Sequence, residues 1–194
     1  MNILELLDGV IRKPAATFEK IAQEKPMGWA LAVFSVSVLL GLVSTDYSEL
    51  QEYIPLPASM AILQFIFSLV FLFIITGLLH LLSRIFKGSG DYRGLFSTLG
   101  FAQFPGFLVP IAQVIKGIGG TAGSILGNII SFGLSIWVLV LYVIAFRESH
   151  KITTGASILT YLLVLVVITV VVLIGVLILA FGLRGFLLGY ASYS

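Results

Sequence analysis

The sequence predicts an all-α fold: an integral membrane bundle of five transmembrane helices, preceded by short amphipathic helices at the membrane interface. Three observations carry this reading. Hydrophobic residues make up 59% of the 194-residue chain and charged residues 10%, against about 25% charged in an ordinary soluble domain. The apolar residues gather into five long runs, and in lipid such runs must bond their backbone amides internally, as helices or closed-barrel strands. Barrel strands alternate over short segments, whereas Leu162 to Leu179 is continuous, so helices are expected. Finally, the breaks between runs alternate between rich and poor in Lys and Arg, which orients the bundle.

Residues 1–26 read as an amphipathic cytoplasmic segment and residues 27–194 as the five-helix transmembrane domain. In the first segment Leu4, Leu7 and Ile11 recur at helical spacing, and Asp8 and Arg12 form an i,i+4 pair. Pro14 can open a second short helix whose apolar side is Phe18 and Ile21. Two roles stay open for these helices, covering the end of the bundle or docking a partner. Glu5, Asp8, Glu19 and Glu24 precede the first apolar run. That is unlike the basic start of a cleavable signal peptide, so the N-terminus is expected to be retained.

The spans are expected at Met27 to Ser44, Ala58 to Phe86, Leu95 to Ile115, Thr121 to Phe146 and Ala156 to Leu183. Each is near or above the roughly 20 residues needed to cross. In the second, Gln64, Ser68, Thr76, His80 and Arg84 fall at multiples of four and define a polar seam expected to face inward. In the third, Pro105 and Pro110 each remove an amide donor and free the carbonyls of Phe101 and Gly106. Gln103, Gln113, a neighbouring helix or water would have to satisfy them. The fourth opens with Gly119, Gly123, Gly127, Ser131 and Ser135, a stripe that lets backbones approach. About three consecutive members can face one neighbour, so packing within the chain is favoured over a homodimer. The fifth, almost wholly Val, Leu and Ile around Thr160 and Thr169, reads as peripheral and lipid-facing.

Nine of the eleven basic residues fall on one side of this layout: Arg12, Lys13, Lys20, Lys25, Arg84, Lys87, Arg93, Arg147 and Lys151. Lys116 and Arg184 fall on the other. Positive charge is retained inside, which places the N-terminus in the cytoplasm and the C-terminus outside. The first loop, 45–57, fits an outer position because Asp46, Glu49 and Glu52 are accompanied by no Lys or Arg. On the cytoplasmic side, His80, Arg84, Asp91, Arg93, Arg147, Glu148 and His150 cluster if spans two to four pack together, a candidate surface for a protein partner or anionic lipid.

Other chemistries lack their residues. A net charge of only +2 argues against a nucleic-acid partner, and without cysteine there is no disulfide, thiolate metal site or thiol nucleophile. All Asp and Glu residues lie outside the apolar cores, where a proton-coupled transporter keeps an ionisable group. No zinc-protease motif, phosphate-binding glycine loop or Ser-His-Asp grouping occurs. The chain therefore reads as nonenzymatic and without a cofactor or metal.

Several stretches resemble the Yip family, the Ypt/Rab-GTPase-interacting multipass proteins, in its short prokaryotic form. They are Pro14 with Thr17-Phe18, Lys87-Gly88-Ser89-Gly90 with Tyr92-Arg93, and Gly100-Phe101-Ala102 followed by Pro105. The likeness continues through Trp137 and Arg147-Glu148-Ser149-His150 to Ala156. The resemblance implies a five-helix protein with a cytoplasmic N-terminus, in a prokaryotic cytoplasmic (inner) membrane. Eukaryotic members are associated with Rab GTPases and vesicle traffic and carry a long hydrophilic N-terminal region, where this chain has about two short helices. The leading expectation is a membrane adaptor or organiser. The alternative is a small permease or lipid-handling protein using the kinked third span, with Gln64, Gln103, Pro105 and Pro110 as its polar and kink residues.

Overall fold

A computed structural model describes the backbone of residues 2–44 and 58–191, with side chains from 2 to 44 and 60 to 181. The first loop and the Arg184 side chain lie outside the described residues. Eight α-helices account for nearly all of the rest, and five segments are long and apolar enough to cross a membrane.

α1 (Ile3–Arg12) begins where the Asn2 side chain accepts the Leu4 amide, 3.0 Å away, and ends as the Lys13 N–H reaches the Gly9 carbonyl. Pro14 then opens α2 (Pro14–Glu24), where a missing amide costs nothing. The apolar spacing is present, but the face that packs differs from the one expected on α1. Leu6 and Val10 are buried, Leu7 is half-buried, and Leu4 and Ile11 are exposed. On α2, Phe18 and Ile21 are fully buried. Both helices share one hydrophobic cluster with the spans.

α3 (Met27–Ser44) spans the residues expected of the first run. Its buried positions, Ala30, Val33, Phe34 and Ser37, keep a three-to-four spacing toward the core. α4 (Ala58–Ser83) buries Leu72, Thr76, Leu79 and Ser83 on the same principle and closes in a 3-10 turn at Arg84–Phe86.

The third span is the most buried of the five. It starts three residues before the apolar run, at Tyr92, behind Asp91, whose carboxylate accepts the Gly94 amide and caps α5 (Tyr92–Ala102). Every residue of α5 from Gly94 to Ala102 is buried. The proline break is a 3-10 segment, Phe104–Leu108, followed by α6 (Val109–Ile118) with Pro110 in its first turn. The Gly106 carbonyl freed by Pro110 accepts from the Val109 N–H, so tightening the turn satisfies it without a glutamine side chain.

At Gly120 the chain reverses with φ +54°, a conformation that suits glycine, and enters α7 (Gly120–His150). This helix runs four residues past the apolar stretch, because Ser149 and His150 are buried by neighbouring chain. α8 (Thr154–Ala191) is the least buried span. Its first turns are tied in by Ser157 Oγ donating to the Val143 carbonyl (2.9 Å) and Tyr161 OH donating to the Tyr142 carbonyl (3.0 Å), and Val164 and Ile168 pack on the core beyond them.

Candidate functional site

The basic end of the bundle is built on backbone contact. The loop Lys87-Gly88-Ser89-Gly90 lies on the last turn of α7, where the Ser89 amide donates to the His150 carbonyl at 3.0 Å. A Cβ on Gly90 would lie 2.1 Å from the Ser149 carbonyl oxygen, so only glycine fits. Similar close approaches set Gly94 on the Ala22 carbonyl of α2 and Gly100 on the Ala30 carbonyl of α3. α2 is pinned by two ion pairs, Lys25–Asp91 (3.0 Å) and Glu19–Lys151.

Beneath the loop, His80 Nδ1 lies 3.1 Å from His150 Nε2, and His150 Nδ1 lies 3.1 Å from Ser149 Oγ. The Ser149 hydroxyl proton points at the Phe146 carbonyl (3.0 Å), so its oxygen must accept from His150 Nδ1–H. A neutral His150 then offers Nε2 as acceptor, and His80 Nδ1 is the donor. The result is a one-way hydrogen-bond chain from His80 through His150 and Ser149 to the backbone. Among the described residues, no group of three or more His, Asp or Glu side chains is placed to hold a metal ion.

The other charged candidates separate from this pair. Asp91 is engaged by Lys25 and by the Gly94 amide. Burial alone would raise its carboxyl pKa, but the Lys25 hydrogen bond and charge and the Gly94 amide outweigh it and hold the group below its ordinary value. Arg147 folds onto Glu148 (Nε to Oε1, 2.9 Å) and donates to Thr154 Oγ1. Arg84 and Arg93, with Lys87 between them, are exposed and make no ion pair among the described residues. The sequence offers Lys25, Lys151 and Glu19 only as flanking charges and does not pair them, because their partners lie far away in the chain.

Lys25, Lys87 and Lys151 share a further property that spacing does not reveal. Each takes a left-handed conformation, φ 52°, 59° and 56°, and ends a helix where glycine is usual. A cation there faces the negative end of the helix dipole, which offsets part of the strain.

Within the membrane, the polar seam of α4 faces inward only in part. Thr76 is buried and His80 half-buried, while Gln64 and Arg84 are exposed. Gln64 instead stands at the rim of a cavity of about 380 Å³ lined by Phe34, Val38, Phe67, Ser68, Phe71, Gln103 and Tyr142. Gln103 ends α5 just before Pro105, its Oε1 accepts from Tyr142 OH at 2.7 Å, and its backbone carbonyl accepts from Ser37 Oγ at 2.8 Å. Pro105 is buried in the turn and Pro110 sits beyond it. The glycine stripe meets α6: a Cβ on Gly123 would lie 2.5 Å from the Ile115 carbonyl oxygen, and one on Gly127 2.7 Å from that of Ala112. Gly119 packs on Gly123 itself, at the turn.

The family model of the Yip1 domain matches residues 9–185, nearly the whole chain. No curated protein and no solved structure matches it. The chain belongs to the Yip1 domain family, and it is a multipass helical membrane protein.

Proposed function

We propose that this Yip1-domain protein is a nonenzymatic membrane adaptor whose basic end faces the cytoplasm, in the inner membrane of a prokaryote, and binds an anionic surface. That surface is the acidic side of a protein partner or a layer of lipid headgroups. One observation carries the reading. Arg84, Lys87 and Arg93 are solvent-facing and unpaired among the described residues, on an end whose loops are held rigidly by backbone contacts and by the two α2 ion pairs. Fixed cations at a membrane surface attract anionic partners over about a Debye length. The orientation follows from retention of Lys and Arg inside.

The docked N-terminal helices support the same role, since Leu4 and Ile11 remain exposed on α1 beside the bundle. The test is copurification from native membranes of proteins and lipids with the wild-type chain, Arg84→Ala and Arg93→Ala. Specific loss of one binder in the variants is expected. Unchanged recovery of every binder overturns the proposal. Arg147→Ala serves as a structural comparison, because Glu148 and Thr154 already engage Arg147.

A further inference from the structure

We infer that the cavity between α3 and α4 is a binding site for an uncharged glycerolipid of the diacylglycerol class, a function separate from the basic end. Counting roughly 1.5 Å per residue, Gln64 lies about 9 Å along α4 and Gln103 about 16 Å along the third span, both at membrane depth. The volume, about 380 Å³, falls within the roughly 300–1,000 Å³ of small-molecule sites.

The lining defines the ligand. Among the described residues no charged side chain borders the cavity, so a phosphate or ammonium headgroup would sit there without a counter-ion from them. Two side-chain amides do border it, and neither is satisfied by the described residues. Gln64 makes no side-chain hydrogen bond, and Gln103 uses only Oε1, leaving its NH2 without an acceptor. Ser68 donates to the Gln64 carbonyl at 2.9 Å, which leaves its oxygen open as an acceptor. Such donors and acceptors suit a free hydroxyl and ester carbonyls.

A second, apolar pocket of about 90 Å³ lies beside it, shares Phe34, Phe71 and Tyr142 as walls and is lined further by Leu72 and Leu79. Phe67 and Phe71 are exposed at the mouth, so the ligand enters sideways from the bilayer without crossing the headgroup layer. A polar cradle whose mouth opens past exposed Phe67 and Phe71 matches a molecule with one neutral polar end and hydrocarbon chains that remain in the bilayer.

The test uses the full chain in vesicles of phosphatidylethanolamine and phosphatidylglycerol. The probes are a diacylglycerol and a phosphatidylglycerol, each with a photoactivatable diazirine in one acyl chain. Saturable diacylglycerol labelling near Phe34, Phe67 and Phe71, displaced by unlabelled diacylglycerol, is expected. Gln64→Leu removes an amide that bonds nothing among the described residues, and it should weaken half-saturation roughly fivefold, the worth of one hydrogen bond. Ser68→Phe fills the cavity and should abolish labelling; thermal unfolding reports whether it folds, and Gln64→Leu carries the test if it does not. Absent labelling would mean that no lipid occupies the cavity, while non-saturable labelling, equal labelling by the phosphatidylglycerol probe, or half-saturation unmoved in Gln64→Leu would mean ordinary annular lipid, and each overturns the proposal.

Discussion

Replacing Gly90 by alanine separates close backbone packing from every other reason for a glycine. The residue has no positive φ, so alanine suits its backbone and only space is at issue. The added Cβ would lie 2.1 Å from the Ser149 oxygen and 2.8 Å from His150 Cα. Restoring ordinary contact at 3.4 Å requires the loop to retreat by about 1.3 Å. That retreat carries the Ser89 amide, now 3.0 Å from the His150 carbonyl, beyond hydrogen-bond range. Overpacking costs about 1–3 kcal/mol and the lost bond about 1 kcal/mol, so a loss of about 2–4 kcal/mol is expected. In equilibrium terms this is roughly 30- to 700-fold. SDS titration in mixed micelles, followed by fluorescence of Trp29 and Trp137, would measure it. Gly77→Ala is the control, because a Cβ there meets nothing within 4 Å. It should be neutral or stabilising by up to about 1 kcal/mol in a helix interior. Unfolding of Gly90→Ala at the same SDS fraction as Gly77→Ala would refute the packing argument.

Asp91→Asn keeps an N-cap side chain but removes the charge facing Lys25. Because the folded carboxyl pKa lies below the ordinary 3.8, the ion pair's stabilisation is fully present above that value and disappears as pH falls through the lowered one. The wild type should therefore exceed the variant near neutrality by less than about 1 kcal/mol, as both partners are about half exposed. The two unfolding curves should merge in acid, and a gap that persists there would refute the pairing. Orientation is tested with a single cysteine at the exposed Ser89, where no native thiol competes. An impermeant maleimide should label it in inverted vesicles and not in intact cells, and the reverse pattern would reverse the bundle.

The spans were legible because burial in lipid leaves a simple signal, continuous hydropathy. The end of α7 was not, because Arg147 to His150 look solvated locally, while the loop that buries Ser149 and His150 comes from 60 residues earlier in the chain. The start of α5 had a readable sign, an Asp ahead of a helix-forming stretch, that the hydropathy boundary at Leu95 overrode. On α1 the apolar residues were visible but two faces competed for them, and only contact with the spans selects Leu6 and Val10. In the candidate site, residue types at span ends brought His80 and His150 into consideration. Their 3.1 Å approach, and the retreat of Arg147 onto Glu148, depend on helix rotation. Spacing along one chain does not encode rotation, nor which lysine takes a left-handed cap.

Several of the stretches that carry the family resemblance share a physical role once folded. Thr17 packs against Gly9 where α1 meets α2, and Phe18 fills the core beneath. Lys87 to Gly90 rests on Ser149 and His150, and Gly100 on Ala30. Each is a place where two elements approach too closely for another side chain, or where a buried group holds an N-terminal helix to the spans. The resemblance thus describes a joint, formed where the N-terminal helices, the central third span and the end of the fourth span meet. Gln64, Ser68 and Phe67, which line the cavity, lie outside those stretches. A rigid basic joint can keep one geometry while the lateral cavity varies its lining, because little is packed against Gln64 or Phe67. Binding at the basic end and lipid specificity in the cavity are therefore expected to respond to separate substitutions.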